Sequence, residues 1–203
     1  MKPAKLFPLF LKLTDRACLV AGAGKIAESK IESLIEADAK VRVVAPKATR
    51  RVTGWTEDKR IEWIARDWEP GDLEGMFLVV AATPSREVHE RIFQEATRRG
   101  VLCNVVDVPA LCDFYYPAVV QRGGLQIAIS TSGLSPALAQ RLRKELQNQF
   151  GTEYEAWLEH LGKERDKLLS EPLNPEERKR LLHDLASVEA FQAFLASRKK
   201  SKK

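Results

Sequence analysis

Apolar residues in the first half of the chain fall into short unbroken runs separated by stretches with a helical period. The runs are Ala17-Cys-Leu-Val-Ala21, Lys40-Val-Arg-Val-Val-Ala45, Ile61-Glu-Trp-Ile-Ala65, Met76-Phe-Leu-Val-Val-Ala-Ala82 and Val101-Leu-Cys-Asn-Val-Val106. Such continuous apolar segments are the form taken by strands buried on both faces of a parallel sheet. Between them, Lys25 to Ala37 and Ser85 to Arg99 read as helices, with Val88, Ile92 and Ala96 recurring four residues apart. Gly100 stops the second helix. The alternation predicts an α/β fold, a doubly wound parallel sheet over residues 1–113.

The pattern changes after Pro109. Phe114 to Val120 and Leu125 to Ser130 flank Gln121-Arg-Gly-Gly124 and predict two strands joined by a glycine turn. A helix over Pro136 to Phe150 follows, with Ser135 at its N-cap and Pro136 at its first position. Residues 114–150 thus form a small α+β segment. From Gly151 to the end, 151–203, the chain is charged and helical in pattern, broken by Glu171-Pro-Leu-Asn-Pro175. Apart from a basic tail, there is no repeat or low-complexity stretch.

The first strand runs directly into Gly22-Ala-Gly24 and then into a helix. Gly22 can turn the chain sharply, and Gly24 has no Cβ to keep a pyrophosphate from the helix N-terminus, where unpaired N–H groups favour negative charge. Ala27 takes the place of the third glycine in the fingerprint of a Rossmann dinucleotide site. A glycine pair serving only a tight turn is the competing account. No acidic residue closes the second strand, which ends Val44-Ala45-Pro46-Lys47. Lys47, Arg50 and Arg51 lean towards a phosphorylated ribose, and this loop leaves NAD and NADP both open.

Composition narrows the partners. The 203 residues are 44% hydrophobic and carry a net charge of +5, but Arg198-Lys-Lys-Ser-Lys-Lys203 supplies five positive charges alone. That run reads as a solvated, disordered end; no aromatic residues interleave with it, so no nucleic-acid partner is expected. Prolines and lysines interrupt the apolar residues of the first fifteen positions, and neither signal peptide nor membrane span is expected. Cys18, Cys103 and Cys112 lack C-x-x-C spacing, which suits a reducing cytoplasm. His89, His160 and His183 lie on different helices without a paired ligand, and no metal site is expected. Trp55, Trp63 and Trp68 are read as packing residues around a short strand and its loops.

Two places could carry chemistry. Asp107 follows the fifth strand, on the sheet edge that also holds the glycine loop and where ligands of open α/β sheets lie, so it could take a proton from a substrate. It could equally cap or turn the chain before Pro109. Ser130-Thr-Ser-Gly133, ahead of Ser135-Pro136, gathers hydroxyls and N–H groups at a helix N-terminus suited to a carboxylate or phosphate, with Arg141, Arg143 and Lys144 on the helix behind. Ordinary capping explains Ser135 as well.

With these residues in order, the chain resembles the precorrin-2 dehydrogenase / sirohydrochlorin ferrochelatase family, which includes the amino-terminal module of siroheme synthases. The motifs are Leu6-Phe-Pro-Leu-Phe10, the glycine loop with Ala27 and Lys30, Val43-Val-Ala-Pro46 and Ala81-Ala-Thr83. They continue through Cys103-Asn-Val-Val-Asp-Val-Pro109, Tyr116-Pro117, Ile127 to Ala139 and Arg141-Leu-Arg143. From about Gly151 the likeness is only in being helical. The resemblance implies NAD-dependent oxidation of precorrin-2 to sirohydrochlorin in siroheme biosynthesis, with insertion of ferrous iron in some members. It implies Asp107 as the essential carboxylate and cofactor contacts at Gly22, Ala23, Gly24, Lys25, Ile26, Pro46, Lys47 and Thr83. The many carboxylates of the tetrapyrrole would suit Asn104, Ser130, Thr131, Ser132, Ser135 and Arg141, and also Arg143 and Arg122. Members are homodimers, with the substrate in a cleft between subunits. Three positions depart from the family: Thr131 where some members carry serine, Ala23 for a common glycine, and Asp38 where the first helix usually ends in glycine. Aspartate tolerates the left-handed conformation better than most residues, so that helix can still close. Two other readings compete: a non-catalytic NAD-binding redox sensor, and a dehydrogenase of another small anionic substrate.

Overall fold

The five apolar runs pair side by side in a computed structural model that describes residues 5–200, with side chains to residue 198. Ser201 to Lys203, the end of the expected basic tail, lie outside the described residues. The chain divides into two compact units, Leu6–Tyr116 and a second from Pro117 onward.

In the first unit the elements follow as β1 (Ala17–Ala21), α1 (Lys25–Glu36), β2 (Lys40–Val44), α2 (Arg50–Glu57), β3 (Ile61–Ile64), β4 (Leu78–Ala81), α3 (Arg86–Arg99) and β5 (Leu102–Val105). The strands form one parallel sheet in the order β3-β2-β1-β4-β5. Alternate residues of β1 serve opposite faces, as a pleated strand requires. Cys18 and Val20 pack with Ala27, Ile31 and Leu34 of α1 and Val52 and Trp55 of α2. Leu19 and Ala21 pack on the other face with Ile92 and Ala96 of α3. Helices on both faces bury the central strands completely; Leu19, Val20, Val79 and Val80 are all 0% exposed, and each such side chain contributes about 1.5–3 kcal/mol of hydrophobic stabilisation. The expected doubly wound Rossmann-like sheet is borne out.

Two details differ from the pattern reading. Arg50–Glu57 is a helix, so Trp55 lies buried on α2 and not in a loop. Phe114 and Tyr116, expected to begin a strand, pack against the core of the first unit, their rings 5.8 Å apart. Asp38 does take the left-handed conformation, at φ 56°, just beyond α1.

The second unit holds an antiparallel pair, β6 (Ala118–Arg122) and β7 (Leu125–Ile129), then α4 (Pro136–Gln149), α5 (Glu153–Ser170), α6 (Pro175–Leu185) and α7 (Val188–Lys200). Aromatic rings bind α5 to α7: Trp157 lies 5.0 Å from Phe194 and 5.6 Å from Phe191. Among the described residues no helix is long and apolar enough to cross a membrane.

Candidate active site

In the sheet order the chain steps outward from β1 through β2 to β3, then returns to the other side of β1 for β4 and β5. The reversal lies between β1 and β4, where neighbouring crossovers leave in opposite directions and open a crevice beyond the strand ends. Gly22 leaves β1 there at φ 113°, and a Cβ at that position would overlap the carbonyl of Ala82, just past β4. The glycine is therefore demanded by the fold. The loop is pinned from both sides: Gly22 N–H donates to Val44 O at 2.9 Å, and Thr49 N–H donates to Ala23 O at 3.1 Å.

Gly24 is different. It is the N-cap of α1 with an ordinary φ of −82°, and a Cβ there would meet nothing within 4 Å. Nothing inside the chain asks for glycine, whereas an anion approaching the helix would. The N-terminus of α1 also lacks a side-chain cap, while α2 and α3 are capped by Thr49 and Ser85. The first N–H groups of α1 are thus left for another acceptor. Lys25 adds a cation in the first turn, against the helix dipole but suited to a phosphate. Beside it, Ile26 is 58% exposed, an apolar side chain uncovered at the mouth of the loop. Open space, orphan donors, a cation and an apolar surface fit a dinucleotide.

The remaining expected cofactor residues lie on the same sheet edge. Pro46 and Lys47 are exposed beyond β2, and Thr83 is half-buried beyond β4, its hydroxyl 3.5 Å from Ser85 O. Arg51 is turned away: it pairs with Glu32 of α1 and lies 4.9 Å over the Trp55 ring.

Two strands along this edge, Asp107 stands exposed at the tip of a turn after β5, at φ 63°. The turn is closed by Val108 N–H donating to Val105 O at 3.2 Å. Lys30 of α1 lies within range of its charge. Its ammonium lies 3.8 Å over the Tyr116 ring; burial pulls its pKa below the ordinary lysine value, and the negative charge of Asp107 partly offsets that. Burial likewise pushes the Tyr116 phenol up to about 12, against a hydrogen bond with Ser33. Beyond its place in the motif, Lys30 had no role in the sequence reading.

Asn104, expected among the substrate contacts, is buried, and its amide donates to Phe114 O at 2.8 Å and to Cys112 Sγ at 3.5 Å. It sits beneath the Asp107 turn as part of its support, because side chains of a doubly covered strand face inward on both sides. In the second unit, the hydroxyls of the 130–135 loop close on their own backbone. Ser130 Oγ accepts from Ser132 N–H at 3.1 Å, and Thr131 Oγ1 accepts from Ser135 N–H at 3.2 Å while donating to Ser135 O at 3.1 Å. Ser135 Oγ caps α4 by accepting from Leu138 N–H. Arg141 is exposed and pairs with Glu145 at 3.4 Å. Arg122 is committed elsewhere, donating to the carbonyls of Gln121, Gln147 and Phe150.

Comparison with known families places this arrangement. The NAD(P)-binding family model matches residues 9–118, the whole sheet and the turn bearing Asp107. The chain belongs to this NAD(P)-binding family. Residues 122–149 of this NAD(P)-binding protein match a second model, described as sirohaem biosynthesis protein central. Curated relatives include the siroheme synthase of Mannheimia succiniciproducens, 37% identical over 88% of this chain and 38% of that relative. The siroheme synthase of Methylobacillus flagellatus is 40% identical over 72% of this chain and 32% of its own length. The chain therefore spans about a third of the length of these relatives. A solved structure described as SirC, precorrin-2 dehydrogenase, superposes with a TM-score of 0.79 over 96% of this chain and all of that one, at 24% identity, and supports the fold. The resemblance read from the motifs and the expectation of a nicotinamide dinucleotide are both borne out.

Proposed function

We propose that this protein is an NAD-dependent precorrin-2 dehydrogenase that forms sirohydrochlorin in siroheme biosynthesis. The observation carrying the reading is one sheet edge that holds an uncapped helix N-terminus behind Gly24 and, two strands away, an exposed carboxylate on a left-handed turn. The names of the siroheme synthase relatives supply the substrate class.

When bound, NAD accepts the hydride that the oxidation removes. The chain's own residues do the rest. The first N–H groups of α1, with Lys25, neutralise the pyrophosphate, and Ile26 covers an apolar part of the cofactor. Asp107 accepts the proton released as the hydride leaves, so that precorrin-2 loses two electrons and two hydrogens in total. Ser132 and Arg141 offer groups for the substrate's carboxylates. In members that insert ferrous iron, the same carboxylate is suited to receive the displaced pyrrole protons, with iron as substrate. A homodimer in the cytoplasm completes the proposal.

The test is anaerobic incubation with precorrin-2 and NAD. The enzyme produces NADH and the sirohydrochlorin absorbance together. A redox sensor would bind NAD and produce neither; a dehydrogenase of another anion would leave precorrin-2 unchanged. Either result overturns the proposal.

A further inference from the structure

Taking Asp107 as the base, we propose that Cys112 is a positioning residue for it, its thiol fastening the Val105–Val108 turn in the shape that presents the carboxylate.

Asp107 needs such help. At φ 63° it holds a conformation that costs a non-glycine residue free energy. Among the described residues its carboxylate has no hydrogen bond or ion pair; the charge of Lys30 acts on it, and its backbone sets the direction from which it leaves the turn. Within the turn one backbone bond runs from Val108 N–H to Val105 O, and at its edges Val106 N–H donates to Ala81 O at 3.0 Å and Leu111 N–H to Val108 O at 2.9 Å. Cys112 Sγ adds the side-chain restraint that ties the two ends together, lying 3.2 Å from Val105 O and 3.3 Å from Val108 O, carbonyls on either side of Asp107. One thiol proton is thereby shared between both ends of the turn.

The sulfur is itself held from behind. Asn104 donates to it at 3.5 Å and to Phe114 O at 2.8 Å. Asp113 then locks the base of the loop: its N–H donates to Cys103 O at 2.7 Å, and its carboxylate accepts from Cys103 N–H at 2.9 Å. The stretch from Cys103 to Asp113 thus forms a closed loop with Asp107 at its tip and Cys112 inside. Burial, with the charge of Asp113, keeps the Cys112 thiol above its ordinary pKa despite the bond to Val105, so it remains a donor at neutral pH. Serine at this position preserves a donor, and alanine removes it.

The experiment compares Cys112→Ala and Cys112→Ser with the unaltered protein in four measurements: kcat for precorrin-2 oxidation, NAD affinity, melting midpoint and amide hydrogen exchange at Val108. In Cys112→Ala, kcat falls roughly 10- to 100-fold, the scale of a misplaced catalytic group, while NAD affinity stays at its original value, the melting midpoint falls by only about 2–4 °C, and Val108 exchanges faster. Cys112→Ser recovers most of the lost kcat and the slow exchange. The proposal is overturned if Cys112→Ala keeps its kcat, if Val108 exchange is unchanged, if kcat falls only together with NAD affinity and melting midpoint, or if the serine variant is no better than alanine. Should the unaltered protein fail to oxidise precorrin-2, the functional reading falls by itself, and Val108 exchange still decides whether the thiol holds the turn.

Discussion

Gly22 and Gly24 stand two residues apart in one loop, yet the structure assigns them opposite sensitivities to a single methyl group. In Gly24→Ala the new Cβ enters space with no protein atom within 4 Å, on a backbone at φ −82° that alanine adopts freely. Alanine is a poorer N-cap than glycine by roughly 0.5–1 kcal/mol, and it recovers about 0.4–1 kcal/mol by narrowing the unfolded ensemble. The two nearly cancel, so the melting midpoint should move by no more than about 2 °C. The same methyl group stands where a pyrophosphate must approach the α1 N–H groups. Losing one charge-assisted hydrogen bond costs about 1.5–3 kcal/mol, a fall in NAD affinity of roughly 10- to 150-fold.

In Gly22→Ala the cost falls on the fold. A φ of 113° lies outside the small left-handed region open to L-residues, and the strain of about 1–3 kcal/mol is compounded by overlap with the Ala82 carbonyl. A loss of roughly 3 kcal/mol lowers the melting midpoint by about 6–12 °C. Calorimetric titration with NAD and thermal unfolding of both variants separate the effects. A folded Gly24→Ala protein with undiminished NAD affinity would refute the cradle, and an unchanged midpoint in Gly22→Ala would refute the steric reasoning.

Asp107→Asn keeps a side chain that tolerates the left-handed turn but cannot accept the proton; kcat should fall at least about 100-fold with NAD affinity intact, and near-normal turnover would remove Asp107 from the chemistry. Asp72 is 5% exposed and paired with Arg66 at 2.6 Å; burial pushes its pKa up, but hydrogen bonds from Arg66 and Glu69 N–H, with the charges of Arg66 and Arg42, hold it below the ordinary value. Its contribution is full above the unfolded pKa and lost as pH falls through the folded one, so Asp72→Asn should lower the urea midpoint at pH 7 and lose that deficit progressively as the solution is made strongly acidic; a deficit that does not shrink with acidification would sink the linkage. Arg122→Ala frees the Gln147 and Phe150 carbonyls at the end of α4 and should destabilise the protein by about 1–3 kcal/mol, read as a shifted urea midpoint; no shift would mean that water replaces the guanidinium fully.

The sheet was legible because doubly buried strands must be apolar throughout, and Ala17–Ala21 and Met76–Ala82 carry that signature without ambiguity. The helix α2 was not. Its sequence, Arg50 to Glu57, buries only Val52 and Trp55 and carries Gly54 in its middle, so neither periodicity nor propensity marks it; Thr49 as N-cap was the available signal. Phe114 to Tyr116 imitated a strand because aromatic residues favour strands, but Pro117 has no N–H for a ladder, and pairing begins only at Ala118. At the candidate site, the glycine loop and Asp107 were visible from their places at strand ends. What lay behind Asp107 was hidden, since the bonds from Cys112 and Asp113 back to β5 join residues seven to ten apart through a fold-back that no local pattern announces.

The two halves of the proposed site are built on opposite principles. At the glycine loop the scaffold withholds something: a side chain at Gly24 and a cap at the start of α1, leaving N–H groups whose pairing waits for an anion. At Asp107 it adds something, since a glycine would take the left-handed turn with less strain, yet an exposed carboxylate stands there, without a hydrogen bond or ion pair among the described residues. Each choice forgoes local stability that another residue would supply, and the proposed function gives each a use. The sheet makes both tolerable, because its strands are buried on two faces and hold the edge in place whatever the loops give up. Asp15 and Asp38 take the same left-handed conformation as Asp107, so the proposed dehydrogenase rests on where Asp107 stands, at the end of β5 on the sheet edge that also carries the glycine loop, and not on its backbone strain.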